Sequence, residues 1–563
     1  MFSRIKKSGR YEYLQVVHNE RIDGKVRQRV IATLGRLDVL RENGQLDGLL
    51  ESLAKFSDHL AVLNAARNTE VIPEAAVRIG PALVFGKLWK ELGLPDVLRR
   101  LLAGRKFEFP LERAVFVTVL HRLFVSGSDR AAERWCRRHR LDDIGDLSLH
   151  HFYRTMGWLG EPLPQDQQPG GQQPDGQQPE APGPLGPRLR MHLIEEALFK
   201  RRRDLFSGLR LMFIDTTSIY FEGDGGESLG QRGYSKDHRP DRNQIVVAAV
   251  LDNAGRPVCC EILPGNTADI TTLVPLADRL KQRFGITDVC VVADRGMISE
   301  QTIADLTERG MHYILGARLR NVNEIRREVL SRGGRYREVN GPRQRSKDPS
   351  PLKVKQVMVD DRRYIVCHNE EQAKKDRADR AAIVEKLREQ LKGGGGKKLV
   401  GNKGFRKFLR EPRGGAFSID EAKIKSDARF DGKWVLRTDT DLPPEDVALR
   451  YKDLLMVEAT FRKTKSLLDT RPIFHKCDDT IRGHVFCSFL SLVLLKELQD
   501  RLADRGWGDV EWQRLRDDLN ELQEFTLEAS GKKFRVRTAA TGDAGKALQA
   551  TGIALGPAVT SIE

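Results

Sequence analysis

A chain of 563 residues is too long for one hydrophobic core, and its length leads one to expect roughly three to five domains or subdomains. Its 95 Lys and Arg against 79 Asp and Glu give a net charge of +16, which favours a polyanionic partner, nucleic acid first, although a basic surface alone can be no more than a solvated face. The seven cysteines form no Cys-x2-Cys pair and are odd in number, which argues against a zinc ribbon and a disulfide framework and fits a reduced cytosol.

The opening MFSRIKKSGR lacks the apolar core of a signal peptide, and no apolar run is long enough to span a bilayer. Residues 1–75 read as a hairpin followed by a helix, because Tyr11 to about Leu34 alternate apolar and polar about the turn pair Asp23-Gly24. Residues 76–160 have helical periodicity, with an apolar cluster from Ala114 to Leu120 and a basic stretch, Arg137-Arg138-His139-Arg140, that is either a polyanion-binding face or a solvated helix surface. Residues 161–188 are Pro, Gly and Gln with almost no apolar side chains, so a disordered linker is expected there.

Order is expected to resume with the helix HLIEEALFKRRRDLF, and the strand LMFIDTTSIYF with Asp215 follows. Next come the strands NQIVVAAVLD and RPVCCEILPGN, joined at Asn253-Ala254-Gly255, and then the helix DITTLVPLADRLKQRFG. The strand VCVVADRGM with Asp294, the helix SEQTIADLTERG and the strand HYILGARL complete a first part, residues 189–320. Only 79 residues separate Asp215 from Asp294, but 164 separate Asp294 from Glu458, so residues 321–441 read as an insertion, rich in short alternating runs such as KVKQVMVD and KWVLRTDTD. Residues 442–510 return to helical pattern around Glu458, and a C-terminal region, 511–563, ends in an Ala-, Gly- and Thr-rich tail expected to be partly disordered or a small assembly element.

The chemistry is expected at three carboxylates. Asp215 and Asp294 follow runs of apolar and β-branched residues that read as buried strands, while Glu458 lies in YKDLLMVEATFRKTK, a helical stretch. Converging carboxylates repel one another, so such a site normally exists to hold hard divalent cations through oxygen ligands, and phosphoryl transfer is the natural use. Taken singly, each Asp has a structural alternative, capping a turn at a strand end. Tyr451, Glu458 and Lys465 are seven residues apart and fall in a narrow sector of a helix, beside an apolar stripe of Leu454, Val457, Phe461 and Leu468.

These residues carry a resemblance. The chain resembles the DDE transposases of bacterial insertion sequences, in the branch with a Tyr-x2-Arg-x3-Glu-x6-Lys helix, here Tyr451, Glu458 and Lys465 with Leu454 in the place of Arg. The resemblance runs from GRYEYLQVVHNERIDGKVRQRVIATLGRLD through GYSKDHRPDRNQ and ADRGM to FDGKWVLRTDTDL and the Glu458 helix. It implies an α/β fold: a ribonuclease H-like catalytic domain with a β-rich insertion, preceded by a mostly helical DNA-binding region. It also implies Asp215, Asp294 and Glu458 as catalytic, metal-holding residues for two Mg²⁺, with Mn²⁺ able to substitute. Tyr451, Lys465, Arg462, Arg295, Lys236, His238 and Arg239 are expected to touch DNA. For Tyr451 the alternative is a core-edge aromatic, for Lys465 a solvated charge, for Arg295 a neighbour's ion pair, and for the Lys236 loop a self-satisfied turn. Arg462 either compensates for Leu454 or the grip there is weaker.

The implied partners are the element's ends and target DNA, with at least a homodimer in the synaptic complex, and the implied place is the cytoplasm, on the nucleoid. A nuclease that cuts without joining and an inactive DNA-binding derivative are the competing readings.

Overall fold

A computed structural model describes all residues except 23–24, 43, 55–71, 126, 169–184, 202–209, 287–288, 298, 320–322, 344–348, 393–402, 411–416, 467–472, 530–531 and 563; the side chains of 22, 25, 51, 54, 72–75, 210, 456–466, 529 and 532 are also left aside. The chain divides into two compact units, one of residues 1–84, 136–141 and 501–563, the other of residues 85–135 and 142–500.

The first unit begins with three strands, β1 (Phe2–Ser8), β2 (Tyr11–Ile22) and β3 (Lys25–Arg36), in one antiparallel sheet. The expected hairpin is β2–β3, and β1 adds a strand that its mostly exposed, Lys-rich sequence disguises. Asp23-Gly24 lies outside the described residues. Two short helices follow, Leu37–Glu42 and Gln45–Ala54, and then β4 (Ile72–Arg78).

In the second unit, β5 (Arg210–Tyr220), β6 (Gln244–Leu251), β7 (Pro257–Pro264), β8 (Val289–Ala293) and β9 (His312–Gly316) form the centre of a nine-stranded sheet. β5, β6 and β7 are an antiparallel meander; β8 runs parallel to β5 and β9 parallel to β8. The inserted strands β10 (Arg337–Asn340), β11 (Leu352–Val359), β12 (Arg362–His368) and β15 (Lys433–Thr438) do not make a separate sheet but extend this one, in the order β10-β11-β12-β15-β9-β8-β5-β6-β7. A two-stranded ribbon, β13 (Leu409–Arg410) and β14 (Ser418–Ile419), and a helix, Glu370–Lys392, complete the insertion. The expected insertion is thus β-rich, but continuous with the central sheet.

Period-two alternation sorts the central strands into two faces. Met212, Ile214, Val250, Val289, Val291 and Leu315 point into one core, closed by Leu273, Leu276 and Leu280 of the helix Leu273–Phe284 and by Ile303 and Leu306 of the helix Glu300–Glu308. Gly285 at φ 61° ends the first of these helices, and the Ser299 hydroxyl caps the second by accepting from the Thr302 amide at 3.0 Å. Each such side chain contributes about 1.5–3 kcal/mol by leaving water. The helix Pro444–Ser466 packs across β5, β8 and β9, with Leu454 buried.

The helices of residues 85–135 belong to this same unit, so the expected boundary at residue 160 does not mark a division between compact bodies. The reason is visible in the helix Leu111–Phe124, whose residues are buried almost all round, as an element enclosed by others must be. Residues 161–168 and 185–188 of the expected linker are tied down, with Gln168 donating to the Leu163 and Arg188 carbonyls at 2.8 and 3.0 Å; residues 169–184 lie outside the described residues.

The first unit closes with β16 (Gln523–Ala529), β17 (Lys532–Arg537) and β18 (Val559–Ile562), which join β4 in the order β18-β17-β16-β4. The tail after Ser530, expected to be partly disordered or a small assembly element, carries regular elements among its described residues: β17, the helix Gly542–Ala550 and β18, with Phe534, Ala544 and Leu548 buried.

Candidate functional site

Asp215 and Asp294 are brought together by strand pairing. The last register pair of the parallel strands is Ile214 with Ala293, and each Asp is the next residue along its strand. Neighbouring strands lie about 4.8 Å apart, so Asp215 and Asp294 are neighbours across the sheet where β8 ends. Both are partly exposed, Asp294 just past the carboxyl end of β8 and Asp215 beside it, within β5.

The neighbours of these carboxylates hold them in place. The Thr216 amide donates to Asp215 Oδ1 at 2.7 Å. From the helix Pro444–Ser466, the Tyr451 hydroxyl donates to Asp294 Oδ1 at 3.0 Å. Gly316, at the end of β9, makes room for that contact, because a β-carbon there would collide with the Tyr451 hydroxyl. Tyr451 is thus turned to a site carboxylate, a partner its sequence context did not reveal. Glu458 lies in the same helix seven residues on, about 10.5 Å along the axis. The side chains of Glu458, Arg462 and Lys465 lie outside the described residues.

The other expected DNA contacts are placed as follows. Arg295 is exposed in the turn after Asp294, and its carbonyl accepts from Arg318 Nε at 3.1 Å. His238 is exposed, with φ 58°. Arg239 donates two 2.9 Å bonds to Asp241, which hold the Asp241 carboxyl down at about 2 and raise the guanidinium above its usual value. Lys236 points inward: its ammonium donates to the Thr216 carbonyl at 2.7 Å and hydroxyl at 2.8 Å, and lies 3.1 Å from Asp269. Asp269 was not anticipated; the only signal is its place in PGNTAD, immediately after a core strand.

Two adjacent carboxylates offer only hard oxygen donors, the set that Mg²⁺ or Mn²⁺ takes and soft metals do not. Among the described residues, a different trio has donor atoms within 4.8 Å of one another: Asp129, His475 and His484. There the Arg122 guanidinium already lies 2.9 Å from His484 Nδ1 and 3.8 Å from Asp129, supplying the positive charge a cation would bring. Burial pushes the Asp129 carboxyl up, but the His475 hydrogen bond and the charges of Arg122 and both imidazoles outweigh it and hold it at about 2. That trio is a charge-compensated polar plug between the helices Leu111–Phe124, Asp129–Cys136 and Asp478–Asp504.

Residues 2–66 match the model of the IS1634 family transposase N-terminal domain, and residues 206–494 match that of the transposase DDE domain, whose members generally use divalent metal ions. No curated protein matches the chain. Among solved structures, it is similar to a cryo-EM structure of the piggyBac transposase synaptic complex with hairpin DNA, at 10% identity and a TM-score of 0.34, over 78% of this chain and 79% of that one. With the DDE-domain match spanning just over half of its length, from before Asp215 to beyond Glu458, the chain belongs to the DDE transposases of insertion sequences.

Proposed function

We propose that this transposase binds the ends of its insertion sequence, hydrolyses a phosphodiester bond at each, and joins the freed 3′ ends to target DNA, using Asp215, Asp294 and Glu458 on a ribonuclease H-like fold. The fold reading is supported by the sheet itself: an antiparallel meander whose first strand, β5, continues on its other edge into two parallel strands, β8 and β9, with the first Asp on β5 and the second just past β8. The observation that carries the reading is the placement of Asp215 and Asp294 as consecutive neighbours beyond the Ile214–Ala293 pair.

When bound, two Mg²⁺ ions would supply activation of the attacking oxygen and stabilisation of the leaving one in an in-line displacement. Asp215 and Asp294 would hold them, with Glu458 reaching in from the helix that Tyr451 anchors to Asp294. Tyr451 then acts as a positioning residue, and DNA backbone contacts fall to Lys465 and Arg462 further along the helix and to Arg295 and His238 at the rim. In the first step water adds to phosphorus and the 3′ oxygen leaves with a proton. In the second, that 3′ hydroxyl attacks a target phosphate and releases one target strand end, so no protein nucleophile is needed.

Synapsis of two ends requires at least a homodimer, and the substrate places the protein on the nucleoid. Among the described residues, no helix is long and apolar enough to cross a membrane. The test is a reaction of the purified chain with Mg²⁺ and DNA carrying the element's inverted repeats. Joined products are expected; cut ends without joining would make it a nuclease, and binding without cutting an inactive derivative.

A further inference from the structure

Beside the Asp215 segment of β5 lies another carboxylate, Asp269, with a cation of its own. Thr216 Oγ1 donates to Asp269 Oδ1 at 2.6 Å and accepts from Lys236 Nζ at 2.8 Å. The direction of that hydroxyl proton is fixed, since an ammonium only donates and a carboxylate only accepts. Lys236 completes the ring through Asp269 Oδ2 at 3.1 Å and the Thr216 carbonyl at 2.7 Å.

This ring is built into the fold. The Lys236 amide donates to the Ser218 hydroxyl of β5 at 2.7 Å. Its loop presses so closely on the end of β7 that a β-carbon on Gly233 or Gly265 would run into backbone carbonyls. Through Thr216, whose amide holds Asp215 Oδ1, the ring reaches the first site carboxylate directly. The turn after β8 packs near it: a β-carbon placed on Gly296, two residues beyond Asp294, would lie 3.8 Å from Asp269 Oδ2. Lys236 and Asp269 are each about a third exposed, at 31% and 30%, so their charges are felt in the cleft and not sealed beneath it.

We propose that Lys236 and Asp269 form a positioning pair that anchors the Asp215 segment of β5 and, by keeping its two charges balanced, sets the affinity of the site for divalent cations. The proposal rests on Asp215 and Asp294 as the cation-holding residues. Its signature is a pair of opposite effects. Asp269→Asn leaves an unmatched ammonium beside the site and weakens cation binding; Lys236→Met leaves an unmatched carboxylate and strengthens it. A unit charge within a strand spacing or two of a divalent ion changes its affinity on the order of tenfold. The double variant restores neutrality and returns toward the wild-type value, and Lys236→Arg, which keeps the charge, stays near it.

The experiment is Mn²⁺ titration of the full chain without DNA, read by electron paramagnetic resonance, on protein whose fold is checked by circular dichroism. The control is loss of the bound Mn²⁺ in Asp215→Asn and Asp294→Asn; if these keep it, the reading of the site itself fails. With the control intact, shifts of opposite sign in the two single variants support the pair. Shifts of the same sign, or none, overturn it and leave Lys236 and Asp269 as ordinary fold contacts.

Discussion

At the scale of single residues, the hydrogen bond from Tyr451 to Asp294 makes the sharpest claim. A hydrogen bond to a charged group is worth about 1.5–3 kcal/mol, so Tyr451→Phe should slow strand cleavage by roughly ten- to a hundredfold while end binding, followed by gel shift, stays near wild type. Gly316→Ala should be at least as damaging, because its β-carbon occupies the place of the Tyr451 hydroxyl. A cleavage rate within twofold of wild type in Tyr451→Phe would remove Tyr451 from the site.

The strand settings of Asp215 and Asp294 were legible, because each follows an apolar, β-branched run that marks a buried strand, although β5 continues past Asp215. The partner of Tyr451 was not legible, because a residue 157 positions away in sequence supplies it. Asp269 was missed for the same reason, since nothing in GNTAD distinguishes a carboxylate that anchors a distant Thr from one that caps its own turn. Asp129 carries a pH effect. Held at about 2, its carboxyl lies below the usual aspartate value of 3.8, so its stabilisation is present above about pH 4 and is lost as pH falls through about 2. The stability difference between wild type and Asp129→Asn, measured by urea unfolding, should therefore be on the order of 2 kcal/mol near pH 5 and shrink toward pH 2.

At the scale of elements, the second unit is held by a charged cluster between two helices and an edge strand. Arg283 of the Leu273–Phe284 helix donates to Glu195 at 2.5 Å, Glu196 at 3.0 Å and Glu261 of β7 at 3.3 Å, and to the His192 carbonyl at 2.9 Å. Burial lowers the guanidinium's affinity for its proton, but the carboxylates around it more than reverse this, and Arg283 stays charged. Arg283→Met would strand buried carboxylates and should cost about 3–5 kcal/mol, seen as a lower melting temperature of the unit containing β5–β9. An unchanged melting temperature would show that the cluster is not holding the fold. The order of the core elements was legible because each strand and helix has the period of its type and turns such as Asn253-Ala254-Gly255 separate them. The extension of the central sheet by β15 and β12 was not, since pairing between β9 and β15 joins segments more than a hundred residues apart, and only the third dimension selects it. β1 was missed because an exposed strand with Lys6 and Lys7 carries little apolar alternation.

At the scale of the whole molecule, a charge of +16 is the counterpart of a DNA substrate. End binding should weaken steeply with salt, log K falling linearly with log salt and dropping tenfold or more between roughly 0.1 and 0.3 M, as counterion release requires. Affinity insensitive to salt would mean that the basic excess is only a solvated surface.

The central claim, that Asp215 and Asp294 together ligate the catalytic cation, is tested most directly by metal-specificity rescue. Asp215→Cys and Asp294→Cys each replace a hard oxygen with a softer sulfur, which Mg²⁺ refuses and Mn²⁺ accepts more readily. The expected result is no cleavage of element ends in Mg²⁺ and recovered cleavage in Mn²⁺ for both variants; full activity in Mg²⁺ for either would contradict it.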